Sequence, residues 1–337
     1  MALTTHGAPT TATPAGVSLV NDASTWDDLV DARGGHPLQC WGWGELKSGE
    51  HWRALRLAVY RNGEPIGGAQ VLQRSLPGPL RPLLYVPRGP FADHGEQDEV
   101  TARIAQYCRD HVPATVLTIE PDTTTGPSDG PWRGTSNTIL IPRTLILDLT
   151  RSEEALLSAM AKKTRQYIRK SGREGLDLRL VTTPEGIDQA LSLYRETADR
   201  AGFAVHGEHY YQDVAARLGA RSRLYTAYDD GQPVAFLWLA ASRRTAFELY
   251  GGMNERGQAL RANYTLKWHA IRECRRDGIE RYDLNGLLNN GITTFKTGFA
   301  DHEDLLAGTF DLPLSPIYPL WARGLPAAKR VVRAARR

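Results

Sequence analysis

The chain has 337 residues, 41% of them hydrophobic and 23% charged, a composition that supports packed cores and excludes a disordered or collagenous polymer. Its three cysteines, Cys40, Cys108 and Cys274, are odd in number and lack a CxxC pair, which excludes a disulfide framework and a zinc ribbon. A net charge of +3 excludes no polyanion, because the cations are bunched. The first seventeen residues lack a basic region and an apolar stretch, and no run of about 18 apolar residues occurs, so a cytoplasmic chain with reduced thiols is expected.

A flexible start over 1–16 precedes Gln39-Cys-Trp-Gly-Trp-Gly-Glu-Leu-Lys47, where tryptophans alternate with glycines before a lysine. Such tryptophans serve equally as core or as site residues. Tyr60 to Leu72 then reads as an apolar strand, a Gly63-centred turn and a returning strand opened by Pro65. A strand over Leu83 to Val86 ends in Tyr85-Val-Pro-Arg-Gly-Pro-Phe-Ala-Asp93, whose prolines place Arg88 and Asp93 in a loop. A helix and a strand over Ala114 to Ile119 follow. Further on, Tyr228 to Ala240 repeats the hairpin around Gly231 and Pro233, with a strand over Phe247 to Tyr250, a helix over Tyr264 to Asp277 and a strand over Arg281 to Leu284. The order hairpin, β, α, β therefore occurs twice, and it is the core of an acyltransferase-type α/β module.

Between the copies, Glu153 to Arg173 is predicted as one amphipathic helix opened by a Thr150/Glu153 capping box, with Leu156, Leu157, Met160, Tyr167 and Ile168 at helical spacing. Its second half carries Lys162, Lys163, Arg165, Arg169, Lys170 and Arg173 without an acidic residue among them. Two readings stand: a solvated face whose cations suit a helix C-terminus, or a polyanion contact. The tail from Ala327 to Arg337 is again basic and fits an anionic bilayer, a nucleic acid or a frayed end equally. No G-x-S-x-G, H-E-x-x-H or G-x-x-x-x-G-K-[ST] pattern occurs, which argues against hydrolases, zinc enzymes and ATP-driven ligases.

Taken in order, Trp43 to Lys47 (W-x-x-x-K), Tyr85 to Pro90 (Y-x-P-x-G-P), Lys162 to Lys170 (K-x-x-R-x-x-I-R-K), Tyr194 to Phe203, Tyr250 to Asn254 (Y-G-G-x-N) and Phe295 to Phe299 (F-K-x-G-F) resemble the FemABX peptidyltransferases. These enzymes attach amino acids from aminoacyl-tRNA to the stem peptide of peptidoglycan precursors. The likeness covers about residues 35 to 320 and implies an α/β (α+β) fold of tandem acetyltransferase-like (GNAT-like) domains. The first would span 17–145, completed by a returning segment 308–337, and the second 146–307. No long charged heptad segment occurs, so no coiled-coil arm is expected.

The resemblance also assigns roles. Lys296 would stabilise the oxyanion formed when an amine attacks the aminoacyl ester, with Phe295 packing beside it. Lys47 and Asp93 would hold the diphosphate or sugar-peptide of lipid II or UDP-MurNAc-pentapeptide, and Tyr250 would line the acceptor channel. Relatives place an arginine four residues before the tyrosine equivalent to Tyr210; this chain has His206, an imidazole that does not replace a bidentate guanidinium, and Arg88, standing where some relatives have tyrosine, would compensate. Lys162, Arg165 and Arg169 would contact the tRNA. No cofactor and no metal are implied, since aminoacyl-tRNA is an activated co-substrate, and the basic C-terminus would rest on the inner face of the membrane. The amino acid (glycine, alanine or serine) and the acceptor amine (lysine or diaminopimelate) stay open. The alternatives are a tRNA-dependent amide-forming enzyme of secondary metabolism and an acyl-CoA-dependent GNAT N-acyltransferase. For the latter, the best pyrophosphate loop is Asn254-Glu-Arg-Gly-Gln-Ala259, whose first position fails the [QR]-x-x-G-x-[GA] pattern.

Overall fold

The structure, a computed structural model, describes residues 16–76, 81–201, 205–288 and 291–324; nearly all of the start expected to be flexible (1–16), Phe203 and the basic tail lie outside them. The elements begin with β1 (Val17–Leu19), α1 (Ala23–Ala32), α2 (Trp41–Lys47), β2 (Trp52–Arg61), β3 (Glu64–Arg74), β4 (Leu83–Pro87) and β5 (Phe91–Ala92). They continue with α3 (Gln97–His111), β6 (Val116–Glu120), β7 (Arg133–Thr135), β8 (Arg143–Thr144), β9 (Ile146–Asp148), α4 (Glu153–Ala159), α5 (Lys162–Ser171) and β10 (Asp177–Val181). Next come α6 (Pro184–Ala201), α7 (Glu208–Leu218), β11 (Ser222–Asp229), β12 (Gln232–Ala241), β13 (Thr245–Met253), α8 (Glu255–Leu260) and α9 (Ala262–Arg276). The chain closes on β14 (Arg281–Asp283), α10 (Gly291–Thr297), β15 (Asp304–Leu305) and β16 (Thr309–Pro313).

Two compact units form, one from Met1–Arg33, Lys47–Thr138 and Ala307–Arg337, the other from Gly34–Leu46 and Ile139–Leu306. In the first, the strand order is β1-β2-β3-β4-β6-β16-β7, with β5 beside β3. The hairpin β2–β3 turns on Asn62 and Gly63, both at positive φ (53° and 87°), the geometry that matches the twist of the flanking strands. Strands β4 and β6 run parallel, joined over the crossover helix α3, which buries Val100, Ile104 and Cys108 at i, i+4 spacing. The last strand, β16, lies antiparallel between β6 and β7, so Leu312 shares a core with Leu57, Val71, Leu84 and Leu117.

The second unit repeats the plan in a sheet ordered β10-β11-β12-β13-β14-β9. Its hairpin turns on Asp230 and Gly231 (φ 47° and 76°). The register shift falls before the strand tyrosine in both hairpins, at Val59/Tyr60 and at Ala227/Tyr228. The duplication thus extends to the bulge. The apolar run of β12 is explained by burial on both faces: Phe236, Trp238 and Ala240 pack with Leu191, Tyr211 and Val214, whereas Leu237, Leu239 and Ala241 pack with Leu266, Ile271 and Ile168.

Two local expectations are corrected. Chain order assigns residues 34–46 to the first module, but Leu38 and Trp43 enter the core made by α6 and α7, and a Cβ on Gly42 would stand 2.2 Å from the Arg217 carbonyl oxygen. The tryptophan–glycine alternation there is therefore a packing code, with glycine letting α2 approach the end of α7. The predicted long helix is two helices, because Met160 and Ala161 are extended (ψ 150° and 141°). Its N-cap is Ser152, whose hydroxyl accepts from the Ala155 N–H, while Thr150 donates instead to Asp148. The longest of these helices, α6, has 18 residues, and no coiled-coil arm is present among the described residues. No described helix is long and apolar enough to cross a membrane.

Candidate active site

The parallel strands β13 and β14 of the second unit pair only from Thr245–Arg281 to Phe247–Asp283 and then part, although β13 runs on to Met253. Ligands of α/β sheets bind where parallel strands end and separate. A bulge sits at this point: Trp238 pairs with Tyr250 and Leu239 with Glu248, leaving Leu249 as the extra residue. Its effect is to send Tyr250 to the α6–α7 face and Glu248 to the α5–α9 face.

On the α9 side, Glu248 forms a buried ion pair with Lys267 and accepts a hydrogen bond from the Tyr282 hydroxyl at 3.0 Å. Lys267 is 3% exposed, and burial pulls its pKa from 10.5 down to about 8, against the attraction of Glu248 and with the charge of Lys296 adding to the depression. Burial, with the Glu248 carboxylate beside it, holds the Tyr282 phenol well above its ordinary range. Asn285, at positive φ just past β14, ties the parting strands together by donating its side-chain amide to the Glu248 carbonyl at 2.9 Å.

Lys296, on α10, donates to three consecutive carbonyls of that strand end: Leu284 at 2.5 Å, Asn285 at 2.9 Å and Gly286 at 3.4 Å. The third contact is at the limit of a useful hydrogen bond, so one N–H can be redirected to a developing oxyanion while the other two hold the ammonium in place. Phe295 stacks its edge on Tyr264 (4.9 Å between centroids) and Phe299 (5.3 Å), and the Lys267 ammonium lies 5.0 Å from its ring. The glycine of the same motif is structural: a Cβ on Gly298 would meet the Thr164 hydroxyl at 2.3 Å, and its carbonyl accepts from the Ala161 N–H. That contact seats α10 against α5.

On the other face, Tyr250 shares a hydrogen bond with Tyr210 (3.3 Å) and rings with Tyr194 and Tyr211. Burial and the neighbouring phenols drive Tyr250 far above the normal tyrosine range and push Tyr194 up to about 12. The His206 ring stacks on Tyr210 at 4.1 Å, and the His206 backbone N–H donates to the Tyr211 hydroxyl at 3.0 Å. The sequence-derived group His206, Tyr210 and Tyr250 is thus assembled, and so is Phe295 with Lys296, each on its own face of the sheet.

The cations of α5 divide. Lys162 and Arg169 are exposed, but Arg165 turns back to cap the C-terminal carbonyls of α4, at 3.2 Å from Ser158 O and closer still to Met160 O. One guanidinium nitrogen of the half-exposed Arg165 is thereby engaged within the protein, which sets it apart from the exposed Lys162 and Arg169. The loop proposed for a CoA pyrophosphate is a capped helix start: Asn254 accepts from the Gly257 N–H at 2.9 Å, and a Cβ on Gly257 would meet the Val234 carbonyl oxygen at 2.2 Å. The glycine packs against β12, and its N–H is already used.

In the first unit, Asp93 pairs with Arg33 at 3.2 Å, and Lys47 closes α2 half-exposed. Arg88 is not a solvated loop charge; at 2% exposure it lies at positive φ (48°) beside the buried Tyr85–Glu120 hydrogen bond, to which Thr309 adds a second donor at 2.7 Å. All three cysteines are buried, and burial pushes the thiols of Cys108 and Cys274 up to about 12, which excludes them as thiolate nucleophiles.

Sequence signals existed for the residues not anticipated. Lys267 interrupts the apolar stripe of α9 between Leu266 and Ala270, and Glu248 interrupts the apolar strand Phe247 to Tyr250. Each looked like an isolated charge until the fold joined them.

Residues 158–297 match the acetyltransferase (GNAT) domain family. Over 220 residues, 60% of this chain, the sequence is 25% identical to the lipid II:glycine glycyltransferase of Staphylococcus aureus. This chain is a homologue of that glycyltransferase, with a GNAT domain. The resemblance to FemABX proteins read from the motifs is therefore borne out, as is the tandem GNAT-like fold. The alignment covers 50% of the glycyltransferase, so this chain spans about half the length of the curated relatives it matches. Its fold matches the crystal structure of FemX with a TM-score of 0.80 at 18% identity, over 89% of this chain and 98% of that one. It also matches a tandem GNAT protein from the clavulanic acid biosynthesis pathway with a TM-score of 0.50 at 14% identity, over 89% and 99%.

Proposed function

We propose that this FemABX homologue is an aminoacyltransferase that moves glycine, alanine or serine from aminoacyl-tRNA onto the stem-peptide amine of lipid II or its nucleotide precursor. The observation that carries the reading is Lys296, an ammonium fixed by two strand-end carbonyls with a third N–H weakly engaged, on a chain homologous to a lipid II glycyltransferase. Attack of the neutral acceptor amine on the ester carbonyl forms a tetrahedral oxyanion; Lys296 stabilises that charge, the C–O bond to the ribose breaks, and the amine's proton leaves with the free tRNA hydroxyl or to solvent. An aminoacyl ester needs no activation by a protein nucleophile, which fits cysteines that are buried with raised pKa values. Lys47, Asp93, His206, Tyr210 and Tyr250 are assigned to the acceptor, and Lys162 and Arg169 to the tRNA.

The CoA-dependent alternative is disfavoured by the capped, glycine-packed loop at Asn254 to Gly257. The test supplies purified glycyl-, alanyl- and seryl-tRNA, or acetyl-CoA, with lipid II or the nucleotide precursor as acceptor, and reads the products by mass spectrometry. A mass increment of one amino acid is expected; acetylation without aminoacylation would replace the reading with the CoA-dependent one.

A further inference from the structure

Tyr167 on α5 is half-exposed, and two cations converge on it: the Arg261 guanidinium lies 4.5 Å and the Lys163 ammonium 5.6 Å from its ring centroid. They come from different elements. Lys163 is one helical turn away on α5, whereas Arg261 is the residue between α8 and α9, held at φ 54° with its own N–H turned to α8 carbonyls. Desolvation raises the Tyr167 phenol, but the two cations beside it together outweigh that and lower its pKa, so both charges act on one ring. Among the described residues neither cation is matched by a carboxylate within ion-pair distance. Two cations brought onto one phenol without an acid repel each other unless an anion joins them.

The position relates this cluster to the candidate active site. Tyr167 meets Tyr264 edge-on at 5.0 Å, Tyr264 meets Phe295 at 4.9 Å, and Phe295 adjoins Lys296 in the chain. An acyl ester at Lys296 is borne by the terminal ribose of the donor, and the next anionic group along that donor is a phosphodiester.

We infer that Lys163, Tyr167 and Arg261 form the subsite for a phosphodiester in the single-stranded 3′ end of the RNA donor, with the α9 N-terminus behind it. The inference rests on the proposed aminoacyl-tRNA reading. It separates these residues from Lys162 and Arg169, which the proposed function assigns to the tRNA without regard to its 3′ end. The same anion-binding chemistry would suit the phosphates of CoA, so the test includes both.

Binding is measured by fluorescence anisotropy with an uncharged RNA microhelix carrying a single-stranded 3′ tetranucleotide, with the same duplex blunt-ended, and by calorimetry with CoA. The variants are Arg261→Asn, chosen because asparagine tolerates positive φ, Lys163→Met, and Arg261→Lys as the charge-keeping control, each checked by its urea midpoint. Arg261→Asn and Lys163→Met should each weaken the overhanging RNA about fivefold to tenfold and flatten its log K against log salt slope by about 0.7, with Arg261→Lys in between. The blunt duplex should change less than twofold. Equal losses on both RNAs, or no loss, overturn the subsite, and Arg261-dependent binding of CoA alone reassigns it to a CoA phosphate. If the overhang is bound through Arg261 but no aminoacyl group reaches either acceptor, the subsite stands and the proposed transfer reaction falls.

Discussion

Replacing Glu248 with glutamine removes the partner of Lys267 while keeping the side chain's size and an acceptor for Tyr282. Lys267 is 3% exposed, so its charge then has no water and no counter-ion, and breaking a buried pair on one side costs about 3 to 5 kcal/mol. The pH dependence has a definite sign. The folded pKa of about 8 lies below the unfolded 10.5, so between those values the unfolded chain holds more protons and stability rises with pH by up to about 3 kcal/mol from this group. Below pH 8 both states are protonated and the penalty is complete; above 10.5 it is gone. Glutamine lowers the folded pKa further, which widens the window downward, so the mutant's deficit should be largest below that lowered value, fall as pH rises towards 8 and be small above it. Urea denaturation at pH 7 and pH 9.5 measures both quantities, and the double variant Glu248→Gln/Lys267→Met should recover most of the loss. A deficit below about 1 kcal/mol, or one equal at both pH values, would refute the account of Lys267 as a buried ammonium held by Glu248.

Other expectations concern the site and its supports. Lys296→Met should lower turnover by about 10² to 10³ with little change in KM, the scale for one lost oxyanion donor; steady-state kinetics with charged tRNA decides, and a loss under threefold removes the assignment. Lys47→Ala should raise KM for a diphosphate-bearing acceptor far more than for a phosphate-free peptide, and equal effects would place Lys47 outside the diphosphate site. Arg165→Ala should cost about 1 kcal/mol in urea melts by uncapping α4 and leave the RNA salt slope unchanged, while Arg169→Ala should leave stability unchanged and flatten that slope by about 0.7. Gly42→Ala should destabilise by more than about 2 kcal/mol, because its Cβ would stand 2.2 Å from a backbone oxygen that only a shift of α2 from α7 can relieve.

The sequence by itself determined the duplicated architecture, because its signals are local. Asn62–Gly63 and Asp230–Gly231 set positive φ whatever surrounds them, and period-2 and period-3.6 apolar patterns name strands and helices without reference to partners. The F-K-x-G-F and Y-G-G-x-N segments were legible for the same reason, as fixed spacings over five consecutive residues. Only the tertiary structure decided what depends on distant residues meeting. Glu248 and Lys267 are 19 positions apart and cancel only once β13 and α9 pack; the backbone break at Met160–Ala161 brings Arg165 onto the end of α4; and the interior around Tyr85 and Glu120 turns Arg88 into a buried charge. Charge in a sequence reports sign and spacing, whereas its energetic meaning is set by solvent exclusion and the nearest counter-charge, and both are properties of the folded chain.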